Sequence, residues 1–124
     1  MEYLNPYGVK IANIRSTQHN KQTHYSVVDV WKAVDPNEGK RCPYYSFKSR
    51  NSWLKNFVVK LEIPSRSLNQ DATDCANAEG ILLIISLIDS PKAQVIRQAM
   101  SKALSDKLKQ AKGTSLVKFI ESIE

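Results

Sequence analysis

Glycine is scarce in this chain, with four in 124 residues. That leaves little material for a glycine-rich phosphate loop, and no Gly-x-Ser-x-Gly elbow presents a nucleophile. Cysteine is scarcer still. Cys42 and Cys75 are too few for a disulfide framework and fit a reducing compartment. Together with His19 and His24 they match no zinc-finger spacing, and no Cys-x-x-Cys is present. Long apolar runs are also missing. The longest, Ile81 to Ile88, has eight residues and contains Ser86, whereas a bilayer needs about 20. The opening residues Met1 to Pro6 lack the basic and apolar regions of a signal peptide. A cytoplasmic protein with no membrane partner is expected. Asp71, Asp74 and Glu79 form no recognisable two-metal constellation, since Glu79 suits a helix start and Asp71 a turn. We therefore expect a non-enzyme with no catalytic residue, metal or cofactor.

What is present is an ordinary globular composition, 42% apolar and 24% charged, and a length that fits one domain. The charge is distributed unevenly. The net charge is +6. Residues 1–39 carry four basic and four acidic side chains, and residues 67–124 carry seven of each. Residues 40–66 carry Lys40, Arg41, Lys48, Arg50, Lys55, Lys60 and Arg66 against Glu62 alone. The whole excess thus lies in one segment. Such concentration points to a polyanionic partner, most often nucleic acid, rather than to general solubility.

The periodicities suggest an α+β fold. Val9 to Ile14 alternates apolar and polar residues, as a half-buried strand does. Arg15 to Thr23 is polar and reads as a hairpin loop, with His24 to Val27 as the returning strand. Val27, Val30, Trp31 and Val34 fall on one stripe of a short helix, ended by Pro36 and Gly39. Pro43 suits the start of a second helix running to about residue 58. Tyr44, Phe47, Leu54 and Val58 would line its core side. Lys48 and Lys55, about 20° apart around the axis, would lie on another face flanked by Ser52 and Tyr45. Residues 64–71 read as a loop and Ala72 to Ala76 as a short strand. Asn77 reads as an N-cap for a buried helix over 81–88. Ser90 and Pro91 start a longer helix through about Lys109. A last short helix is expected after Gly113, so the chain divides into a domain over 1–112 and a terminal helix over 113–124.

Three segments carry a resemblance. His24-Tyr-Ser-Val-Val-Asp-Val-Trp-Lys-Ala-Val34, Thr73-Asp-Cys-Ala-Asn-Ala-Glu-Gly-Ile-Leu-Leu-Ile-Ile85 and Ser90-Pro-Lys-Ala93, in that order, resemble the BRO N-terminal domain family. This is the domain of phage antirepressors and baculovirus repeated open reading frame proteins. The branch that includes DNA-damage-inducible protein D is the most similar. The resemblance spans roughly residues 9–110. It implies an α+β domain with an N-terminal hairpin, a core helix and a longer C-terminal helix. It also implies DNA binding in transcriptional or mobile-element regulation.

The expected function is therefore a module that binds double-stranded DNA. Lys48, Ser52 and Lys55 would face the duplex, with Lys40, Arg41 and Arg50 on phosphates near the helix start. Lys60 and Arg66 would extend the footprint. Neutralising about six phosphates gives a log–log salt slope near −5. The rival reading is a protein-interaction module that binds a repressor or forms a homodimer through its C-terminal helices.

Overall fold

The computed structural model describes residues 2–36, 42–64 and 70–110. The class is α+β: among the described residues, a four-stranded antiparallel sheet in the order Ser16–His19 (β1), Gln22–Ser26 (β2), Gln70–Ala76 (β4), Val59–Pro64 (β3) packs with four α-helices and three short 3-10 turns. Strands β1 (Ser16–His19) and β2 (Gln22–Ser26) form the N-terminal hairpin. Asn20 (φ 51°) and Lys21 (φ 64°) connect them. Two left-handed central residues define the hairpin turn whose twist matches the flanking strands. The hairpin is present, but its first strand is not over residues 9–14. Ile11–Asn13 form a 3-10 turn instead, and the polar stretch expected as the loop is itself β1. Because β1 is an edge strand, half of its residues face water. Ser16 and Gln18 are exposed, while Val9 and Ile14 are buried as anchors for the turns before it.

The second hairpin joins β3 (Val59–Pro64) to β4 (Gln70–Ala76), in register from Val59 opposite Cys75 to Pro64 opposite Gln70. The expected strand over 72–76 is thus longer. It reaches Gln70, and residues 64, 70 and 71 pair in a strand ladder rather than forming a loop. The two hairpins meet along a short seam, Tyr25 opposite Ala76 and Ser26 opposite Cys75. Both strands end there, and each runs into a helix. Ser26 caps α1 (Val27–Val34), its Oγ accepting from the Asp29 amide at 3.4 Å. Asn77 caps α3 (Ala78–Ile85), its Oδ1 accepting from the Gly80 amide at 2.9 Å. The two helices leave the seam together and pack on each other. Val27, Val30, Trp31 and Val34 are buried against Ile81, Ile84 and Ile85, as the stripe predicts.

Helix α3 stops at Ile85, three residues before the expected end. The Ser86 hydroxyl donates to the Leu83 carbonyl, and Arg97 donates to the carbonyls of Ser86 and Ile88. Helix α4 (Pro91–Gln110) starts at Ser90, whose Oγ accepts from the Ala93 amide at 3.1 Å and donates to the Val34 carbonyl at 2.9 Å. Ala93 and Ile96 are buried, whereas Leu104 is exposed. The short helix expected over 113–124 lies outside the described residues. Among the described residues, no helix is long and apolar enough to cross a membrane.

The expected single helix over 43–58 is broken. Helix α2 spans Tyr44–Arg50, and a 3-10 turn follows over Ser52–Asn56. Asn51 between them is not helical (φ −129°, ψ 78°), and its Nδ2 donates to the Phe47 carbonyl at 2.9 Å. An asparagine amide that takes a helix carbonyl offers the backbone a way out of the helix. Lys48 and Lys55 therefore do not share one helical face.

The hairpin turn yields a stability prediction. Lys21 holds a left-handed conformation that costs a side-chain-bearing residue about 1 kcal/mol. Lys21→Gly removes that strain and creates the favoured Asn-Gly turn. It should stabilise the protein by up to about 1 kcal/mol, read as a higher Tm by calorimetry. A lower Tm would show that the turn gains nothing from glycine.

Candidate nucleic-acid interface

The segment from Tyr44 to Phe57 is fixed on its inner side by the core. Tyr44 and Leu54 are fully buried, and Phe47 and Val58 pack at the margin, which matches the expected core side. The Trp31 ring lies 6.0 Å from that of Tyr44 and 5.8 Å from that of Phe47. Gly80 closes the other end. A Cβ there would stand 2.9 Å from the Ala76 Cβ and 3.0 Å from the Phe57 carbonyl oxygen, so only glycine lets the start of α3 approach this closely.

The central polar contact is one that the sequence did not reveal. Asp74 on β4 is 3% exposed. Its Oδ2 accepts from the Tyr44 hydroxyl at 2.6 Å and from the Lys48 ammonium at 2.6 Å. Burial works against its charged form. The hydrogen bonds from Lys48 and Tyr44, and the charges of Lys48 and Lys60, outweigh it and hold the carboxyl below its usual range. The Tyr44 phenol is pushed far above its ordinary value by burial and by its bond to Asp74. Burial, then the Asp74 charge, pushes the neighbouring Cys75 thiol up to about 11. At neutral pH the cluster thus holds a carboxylate, a phenol and a thiol, none poised to exchange a proton. It orients α2. Among the described residues, no three His, Cys, Asp or Glu side chains converge as metal ligands.

The expected DNA-facing residues therefore divide. Lys48 points into Asp74 rather than outward, because a buried carboxylate demands a cation. Arg50 ends α2, Ser52 opens the 3-10 turn and Lys55 follows within it, all three exposed. Lys60 is exposed on β3. Lys40, Arg41 and Arg66 lie outside the described residues. Three rings are exposed along the same segment: Tyr45 at 50%, Trp53 at 38% and Phe57 at 43%. Trp53 and Phe57 meet edge to face at 5.9 Å. The interleaving of these rings with Arg50 and Lys55 is visible in the sequence. The placing of Trp53 and Phe57 follows from the break at Asn51, which is not, whereas Tyr45 precedes the break on the side already expected to face away from the core.

The Asp74 cluster yields a pH prediction. A carboxylate held below its unfolded value of about 4 stabilises the fold fully above that value, and the contribution is lost as pH falls through the lower folded value. Lys48→Met removes the main counter-charge. The variant should lose about 2 kcal/mol at neutral pH, and the Asp74 titration, followed by carboxyl-carbon NMR, should move upward. An unmoved titration would show that Lys48 does not hold the charge.

Comparison with known proteins adds no relative: no protein-family model, curated protein or solved structure matches the chain.

Proposed function

We propose that this protein is a DNA-binding module that meets its target through the exposed part of the basic segment. Arg50, Lys55 and Lys60 contact phosphates, Ser52 adds a hydroxyl, and Tyr45, Trp53 and Phe57 provide ring surface between them. The observation that carries this reading is the exposure of three aromatic rings among cations that form no ion pair within 4 Å among the described residues. A fold gains by burying such rings, and a cluster left in water beside positive charge fits a polyanion bearing flat bases. Arg50 is the residue suited to a guanine edge. The resemblance to the BRO N-terminal domain adds a role in transcriptional or mobile-element regulation, with duplex DNA as the partner.

The exposed rings also favour a second reading, in which the segment stacks on unpaired bases. A third reading, a protein partner or second copy, rests on the apolar groove of Tyr3, Tyr7, Leu82, Met100 and Leu104 along α4.

Fluorescence anisotropy against labelled duplex and single-stranded DNA, with salt titrated, separates the three. Arg50→Glu/Lys55→Glu is the informative variant. Lys48→Glu is not, since it sets a second carboxylate against Asp74. Three contacts predict a log–log slope of about −3, and participation of Lys40, Arg41 and Arg66 steepens it to about −5. The variant should bind at least about tenfold more weakly. Preference for single strands would replace duplex by unpaired DNA as the target. Absence of binding at low salt, or equal binding by the variant, would overturn the interface.

A further inference from the structure

A second cationic feature lies outside residues 40–66. A concave pocket of about 840 Å³ is lined by Lys10, Arg15, Lys32 and Lys92, with Asp29 the one carboxylate in its wall among the described residues. The charge pattern along the chain conceals it, because Lys92 is brought in by α4 from an otherwise balanced region.

Arg15 and Asp29 neutralise each other. The Asp29 carboxylate accepts from the Arg15 amide at 3.0 Å, from its Nε at 2.8 Å and from its Nη2 at 3.1 Å. Asp29 is thus committed to Arg15 rather than to any of the three lysines. Among the described residues, the Lys92 ammonium donates only to carbonyls, those of Gly8 at 3.2 Å and Ala33 at 3.5 Å. Gly8 is left-handed (φ 80°), which turns its carbonyl to the lysine, and a Cβ there would lie 3.5 Å from both Cε and Nζ of Lys92. Lys92 stands in the first turn of α4, which holds no acidic residue. A cation there opposes the helix dipole. Lys10 and Lys32 are exposed, with no carboxylate within ion-pair distance among the described residues. Three lysines thus line one concavity, one of them held by carbonyls at a helix start, and such a wall favours an anion.

We propose that this pocket binds a phosphate-bearing anion. Lys10, Lys32 and Lys92 are its direct ligands, and the Arg15–Asp29 pair forms a rigid wall. The volume lies within the range of small-ligand sites and admits a diphosphate or a nucleotide-sized molecule. The site shares no residue with the Tyr44–Lys60 interface. The phosphate belongs either to a free small molecule or to a nucleic-acid backbone.

The test is a ¹H–¹⁵N NMR titration of the full chain with inorganic pyrophosphate at constant ionic strength, repeated with duplex DNA. Pyrophosphate should give saturable shifts at amides 8–15, 32–34 and 92. Lys10→Gln/Lys32→Gln replaces two exposed side chains and leaves the Lys92 contacts intact, and it should weaken binding about tenfold or more. If DNA shifts the same amides and competes with pyrophosphate, the phosphate is that of a nucleic acid. If DNA shifts only residues 45–60, or nothing, while pyrophosphate saturates the pocket, the ligand is a free phosphorylated molecule. Without saturable pyrophosphate shifts, or with wild-type affinity in the variant, the pocket proposal falls. Shifts at 45–60 with DNA would then still leave the interface reading standing.

Discussion

One buried oxygen, Oδ2 of Asp74, joins the sheet to the segment that carries the exposed cations and rings. Tyr44 and Lys48, both on α2, donate to it from 30 and 26 residues away along the chain. A carboxylate taken from water is costly unless its hydrogen bonds are made, so α2 has a preferred seat on β4 and little reason to slide. Apolar packing of Tyr44, Phe47 and Leu54 supplies attraction without direction. The two bonds to Asp74 supply direction. The positions of Arg50, Trp53 and Lys55 follow, because the chain between Arg50 and Phe57 is short and Gly80 clamps its far end.

Local signals in the sequence were legible where a residue acts on its own backbone. Ser26, Asn77 and Ser90 occupy helix starts, and two of these caps, Asn77 and Ser90, are evident from the sequence. The stripe from Val27 to Val34 marks a buried helix face. Signals failed where a distant partner decides. Strand β3 alternates Val59, Leu61 and Ile63 with Lys60 and Glu62, a pattern hidden by the apparent continuation of the helix before it. The polar strand β1 resembles a loop because an edge strand needs only one neighbour. Lys48 reads as a free basic residue because nothing near it in sequence announces Asp74. Asp74 reads as an isolated carboxylate for the same reason.

The two cationic features differ in how they arise. The first is contiguous, so counting charges along the chain finds it, although one of its lysines is spent on the fold. The second is assembled from the N-terminal turns, α1 and α4, which are far apart along the chain and lie in segments whose charges balance overall. Only the left-handed turn at Gly8 and the start of α4 bring Lys92 beside Lys10 and Lys32. Linear charge density is thus a sound guide to the first kind of site and blind to the second.

The sheet has a joint in its middle. Each hairpin is closed by local pairing, but β2 and β4 share only two residue pairs, at the ends where both strands become helices. So short a ladder has little strength of its own. What keeps it shut is the packing of α1 on α3 immediately beyond it. The two halves are therefore held together more by side chains than by backbone bonds. Thinning that apolar contact then opens the sheet along this line before either hairpin unravels.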